Sequence, residues 1–203
     1  MRTVDPVAHG RRKDRILKCS LGLFASRGYD SASLDEIAGM CRMQKASLYH
    51  YFKSKEEILR ELIRWQMRRA HAGVAKLPLG RSMERNLFAV GMDFVRQFNK
   101  KENRDFLRLL VRETGTRGYL RKVFTTMDAE SVEKAMKAMH SVFIGGGRTT
   151  SLHEHARIMH QFLGTLFRYV VESKLLKSGP SLMFRDGEYV GSLARIYARG
   201  LRA

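Results

Sequence analysis

Two serine-to-glutamate spacings, Ser33 with Glu36 and Ser54 with Glu57, fix where two helices begin, because each serine can accept from an orphan backbone N–H while the glutamate reaches back. The chain between them has room only for short elements. Leu34, Ile37 and Ala38, then Met43, then Leu48 and Phe52 supply one apolar face for each of two short helices, joined by a break near Cys41 to Met43. Gln44, Lys45, Ala46, Ser47, Tyr49 and His50 are left on the outer side. Glutamine can bond an adenine edge twice, lysine reaches guanine or phosphate, and tyrosine, histidine and serine suit phosphate and the thymine methyl. Two polar surface helices would give the same pattern, so the spacing alone leaves both readings open.

Ile16, Leu17, Leu23, Phe24, Gly28 and Tyr29, then Ser33, Ile37, Ala38, Leu48, Tyr49, His50, Tyr51 and Phe52, and finally Ser54, Lys55, Glu56 and Leu59 follow a known pattern position by position. The first quarter of the chain resembles the DNA-binding domain of the TetR/AcrR family of bacterial transcriptional regulators, most specifically in the run LYHYFKSKEEIL. Two positions depart from it. Arg42 stands where the family usually has the turn glycine, and Gln44 where it usually has a capping hydroxyl. A non-glycine residue in a left-handed turn costs about 1 kcal/mol, and glutamine caps less well than serine. The motif is expected to persist, with Arg42 and Gln44 as the places where the entry to the recognition helix would differ.

The fold class expected is all-α, with a three-helix helix-turn-helix domain at residues 1–53, a connecting helix at 54–77 and a helical-bundle regulatory and dimerisation domain at 78–203. Pro6, Pro78 and Pro180 all lie outside the long periodic segments. Residues 1–9 are expected to be loosely ordered, with the first helix starting near Gly10. The resemblance implies that Arg11, Arg12 and Lys13 lie near the DNA backbone; a solvated basic tail is the alternative. Lys55, at the start of its helix, is placed for a phosphate, and Ser33 joins the expected DNA contacts.

Lysine and arginine number 38 against 20 acidic residues, a net charge of +18 with pI near 10.4, which implies a polyanionic partner or an anionic surface. The excess does not locate the site, since residues 1–77 carry 16 basic and 8 acidic groups and the remainder 22 and 12. Cys19 and Cys41 have neither zinc-site nor disulfide-framework spacing, and no run of 18 apolar residues occurs, so a cytoplasmic protein without membrane contact or cofactor is expected, and the resemblance implies a bacterial one. His153, His155 and His160 lack metal-ligand spacing, GGGRTT lacks the Gly-Lys pair of a phosphate loop, and no catalytic constellation stands out. No enzyme activity is expected.

Leu152, Met159, Leu163, Leu166 and Val170 form a seam behind a third serine–glutamate pair, Ser151 and Glu154. Val190, Leu193 and Tyr197 repeat the spacing on the last helix. These eight residues are expected in a four-helix dimer interface, as the resemblance also implies. It further implies a small-molecule pocket, for which Phe88, Met92, Phe106, Leu109, Phe124, Met127, Met136, Met139 and Phe162 are candidates on adaptable Met-rich helices. The functional expectation is a homodimeric, ligand-responsive regulator, a repressor, on a pseudo-palindromic duplex, released by an apolar effector. The alternative is a dimeric helical adaptor or structural protein binding DNA nonspecifically, or a protein partner, without effector.

Overall fold

The computed structural model describes residues 5–74, 76–114, 142–143 and 151–200. Among them the regular structure is entirely helical: α1 (Pro6–Arg27), α2 (Leu34–Met40), α3 (Lys45–Tyr49), α4 (Lys55–Val74), α5 (Met83–Gln97), α6 (Lys101–Thr114), α7 (Leu152–Val170) and α8 (Asp186–Gly200). Residues 115–141 and 144–150, which include GGGRTT and the pocket candidates Phe124, Met127, Met136 and Met139, lie outside this description. No described helix is long and apolar enough to cross a membrane.

The chain divides into two compact units. The first contains residues up to Met67 together with the stretch from Asp105, and the second contains residues 68–104 and the chain from Met127 onward. This division cuts through α4 and α6, whereas the sequence had suggested boundaries after residues 53 and 77.

In the first unit Ile16, Leu17, Leu21 and Phe24 of α1 pack with Ile37 and Ala38 of α2, Leu48 of α3 and Ile58, Leu59, Leu62 and Ile63 of α4. Each is nearly or fully withdrawn from water, so the apolar periodicity translates directly into one core. Leu109 belongs to this same core, and Phe106 packs against it. Both are pocket candidates by sequence. Their burial here corrects that: the apolar side of α6 is used against the helix-turn-helix.

The start of α1 also differs from expectation. Asp5 accepts from Val7 N at 2.9 Å and Pro6 occupies the first turn, so the helix begins within the segment expected to be loose. A capping carboxylate followed by proline is a helix-start signal that was present in the sequence.

In the second unit α5 packs closely on α8. A Cβ added at Gly91 would lie 2.7 Å from Val190 Cγ1 and 3.2 Å from Leu166 and Phe162, so the helices meet where no side chain fits. Buried Asn86 ties the approach to α5 in place: its amide accepts from Gly80 N at 2.9 Å and donates to Gly80 O at 2.8 Å and Val142 O at 2.9 Å. Ser151 caps α7 by accepting from Glu154 N at 3.2 Å. After Val170 the chain continues as a π-helical turn, Val171–Leu176. Tyr169 then closes the connection to α8, donating to Asp186 Oδ1 at 2.8 Å and stacking on Tyr189 at 4.2 Å. Burial, followed by the neighbouring Asp186 carboxylate, pushes the Tyr169 phenol well above its ordinary range.

This packing corrects half of the expected dimer seam. Met159, Leu166, Val170 and Val190 are at most 1% exposed in a single chain, so they are already consumed by the unit's own core. Leu163, Leu193 and Tyr197 stay half-buried, and the side chain of Leu152 lies outside the described residues. A long helix with two apolar flanks can satisfy both within its own unit, and α7 largely does so.

Candidate nucleic-acid interface

α2 begins where the serine–glutamate spacing requires. Ser33 Oγ accepts from Glu36 N at 3.2 Å and donates to Glu36 Oε2 at 2.9 Å, while Ser33 N donates to the same oxygen at 2.9 Å. These bonds to the charged form hold the Glu36 carboxyl below its ordinary range, with Arg27 contributing as its ion-pair partner. Ser33 is therefore a structural cap whose hydroxyl is already engaged.

The turn after α2 closes with Arg42 N donating to Gly39 O and Met43 N to Ala38 O, both at 3.0 Å. Arg42 sits in the left-handed region at φ 53°, so the turn keeps the glycine-type geometry despite its arginine. Cys41 beside it is buried, and burial, together with the adjacent Cys19 thiol, pushes its thiol up to about 12. Such a thiol is a packing group rather than a nucleophile at neutral pH.

Gln44 occupies the N-cap position of α3 with extended backbone and no side-chain cap bond. Its amide is thus exposed and uncommitted to the helix. Leu48 is fully buried and anchors this single turn, leaving Gln44, Lys45, Ala46, Tyr49 and His50 exposed and Ser47 half-buried. Lys45 pairs with Asp35 Oδ2 at 2.7 Å, and this bond raises its pKa. An exposed pair of this kind is worth little and can yield to a phosphate.

The basic residues on α1 and α4 divide. Arg11 and Arg12 are exposed on the first turns of α1. Lys13 turns inward, 3.3 Å from Glu61 and 5.4 Å from the centre of the Phe52 ring. His9, from the segment expected to be loose, stacks on Tyr51 at 4.7 Å and so brings the start of α1 beside the end of the recognition helix.

Lys55 does not face outward as a phosphate ligand would. Its ammonium donates to the carbonyls of Tyr29 at 2.7 Å, Asp30 at 3.0 Å and Ala32 at 2.8 Å, and lies 4.5 Å from the centre of the Tyr29 ring. Three donors meet three acceptors, so the expected phosphate role is replaced by a structural one. The same loop is held from α6, where Glu113 accepts from Tyr29 N at 3.2 Å and Arg112 donates to Ser26 O at 3.2 Å.

The expected pocket residues of the second unit that are described differ in exposure. Phe88 is 40% exposed, Phe162 is fully buried against Tyr197, and Met92 is half-buried. Phe124, Met127, Met136 and Met139 lie outside the described residues. His153 and His160 are exposed, while His155 is buried and stacked on Phe143 at 4.4 Å.

Residues 16–62 match the family model described as bacterial regulatory proteins, tetR family. A 51-residue segment is 41% identical to the biofilm operon icaADBC HTH-type negative transcriptional regulator IcaR of Staphylococcus epidermidis, covering 25% of this chain and 28% of that one. A 109-residue segment is 29% identical to the uncharacterized HTH-type transcriptional regulator YerO of Bacillus subtilis, covering 50% and 36%. The matches thus span only 28% and 36% of these relatives' own lengths. Among solved structures, the fatty acid degradation regulator FadR from Bacillus halodurans superposes with TM-score 0.70 at 18% identity over 99% of both chains. A TetR-family regulator from Syntrophomonas wolfei gives 0.72 at 18% identity over 94% of this chain and 96% of its own. At these identities the likeness is one of fold.

Proposed function

We propose, for a chain that belongs to the TetR family of bacterial regulatory proteins, a homodimeric repressor that binds a pseudo-palindromic operator and leaves it when a small molecule binds. The observation that carries this reading is the α3 turn. Its apolar side is sealed by Leu48, while Gln44, Lys45, Ala46, Ser47, Tyr49 and His50 form a polar outer face. Gln44 and Lys45 would read base edges, and Tyr49, His50, Arg11 and Arg12 would take phosphates. Two copies related by a two-fold axis would present two such turns about 34–36 Å apart.

The dimer reading is supported by apolar groups that one chain leaves uncovered on its last two helices, Phe167 at 37% and Ile196 at 63% exposure, with half-buried Leu163, Leu193 and Tyr197 nearby in sequence. These replace Met159, Leu166, Val170 and Val190 as the proposed interface. The effector reading is supported by Gln66 on α4, whose Nε2 is buried without a hydrogen-bond partner. A small molecule carrying a carbonyl or carboxylate beside its apolar part would satisfy it, and α4 begins at the helix-turn-helix. Such an effector acts only if it binds the DNA-incompetent state more tightly.

Binding-site selection from random duplex, followed by competition at physiological salt, tests the regulator. The expected result is a palindromic consensus bound at least about 1000-fold more tightly than random sequence, by a species that sedimentation identifies as a dimer. Equal affinity for all duplexes would favour the nonspecific adaptor instead.

A further inference from the structure

We propose that Arg42, in the turn before the recognition helix, is a phosphate-contacting residue that extends the DNA footprint beyond α3. This rests on the reading of α2 and α3 as a DNA-binding motif and adds to it a residue outside the family's usual pattern.

Arg42 is one of two non-glycine residues with positive φ among those described, the other being Lys177. Glycine would adopt this conformation without a Cβ penalty, so the arginine side chain is carried at a cost to folding. The turn's backbone bonds from Arg42 N and Met43 N are made by main chain alone and do not need the side chain. Its neighbours fix its direction: Cys41 is buried and Met43 half-buried, which leaves Arg42 exposed two residues before exposed Gln44. Among the described residues the ion pairs of the motif engage Arg27 with Glu36 and Lys45 with Asp35, and none engages Arg42.

The turn also lies beside α1, where the Cys19 thiol donates to Met40 O at 3.7 Å. The positive charge of exposed Arg15 on α1 also acts on the Cys41 thiol, against the larger effect of burial. A strained, exposed arginine adjoining the outer face of α3, in a basic setting, matches a phosphate: a planar fork that bonds two oxygens at once. A residue kept for folding would be glycine here.

The test is Arg42→Gly, with Arg42→Lys beside it, each measured for unfolding midpoint and for affinity to a selected operator and a random duplex across a salt series. Arg42→Gly should keep or raise the unfolding midpoint, yet bind both duplexes about five- to tenfold more weakly, with the slope of log affinity on log salt smaller by about one. Arg42→Lys should retain the slope. Wild-type affinity and slope in Arg42→Gly would overturn the proposal, as would affinity lost only together with stability. A loss confined to one base pair of the operator would overturn the phosphate assignment in favour of base reading. If the wild-type protein binds no duplex, it is the DNA-binding reading itself that fails.

Discussion

Replacing Lys55 by methionine keeps most of the side chain's length and removes the charge that joins α4 to the loop before α2. Three carbonyls lose their donor: those of Tyr29 and Ala32, part-buried, and that of Asp30, which water can reach. Net values for hydrogen bonds to a charged group are about 1.5–3 kcal/mol. Two such bonds at the low end give about 3 kcal/mol, since water takes over at Asp30 and methionine regains some rotamer freedom. The contact with the Tyr29 ring adds about 0.5–1 kcal/mol. A loss of about 3.5–4 kcal/mol should lower the melting temperature by roughly 7–16 °C for a chain of this size. Urea unfolding and duplex titration across a salt series, both run on folded protein at low temperature, separate the two roles available to this lysine. The structural role predicts a large fall in the urea midpoint with an unchanged salt slope. A variant as stable as the wild type, with a slope smaller by about one, would refute the reasoning and return Lys55 to the phosphate backbone.

Gly91→Ala should destabilise by about 1–3 kcal/mol in thermal unfolding, because its new methyl would sit 2.7 Å from Val190 and the helices must separate to admit it. Gln66→Leu should stabilise the fold by about 1 kcal/mol, read as a higher urea midpoint, since a buried donor without a partner is removed, while abolishing any effector-induced release from DNA. The Glu36 carboxyl has a folded pKa below its ordinary value, so its contribution is present above the carboxylate range and is lost as pH falls through the folded pKa. Stability of the wild type should therefore drop more steeply between about pH 5 and pH 3 than that of Glu36→Gln, as read by denaturant midpoints.

The parts of the site that were legible in the sequence are those whose physics is local. Ser33 and Glu36 are three residues apart and satisfy each other's backbone groups, so their role follows from spacing. Leu48 and Phe52 recur with the helical period and are both fully buried. Even the start of α1 is written locally, in Asp5 and Pro6, ahead of the basic run at Arg11 to Lys13. Gln44 likewise behaves as a weak capper should, and makes no cap bond.

Lys55, Leu109 and Met159 could not be read in this way, because their partners are distant in sequence or compete for the same face. A lysine at a helix start looks the same whether it meets a phosphate or the carbonyls of Tyr29, Asp30 and Ala32; only the return of the chain past α4 brings those oxygens within 3.0 Å. An apolar stripe on α7 states that something must cover it but not whether the cover comes from α5 and α8 of the same chain or from a second one. Period and capping are properties of a segment and were determined by the sequence, including the all-helical fold and the two-helix motif with its polar outer face. Which of several equally suitable neighbours saturates a donor or buries a face depends on contacts between segments far apart in the chain, and that was decided only when tertiary packing filled Lys55's three hydrogen bonds, drew Leu109 into the first core and left Arg42 turned outward.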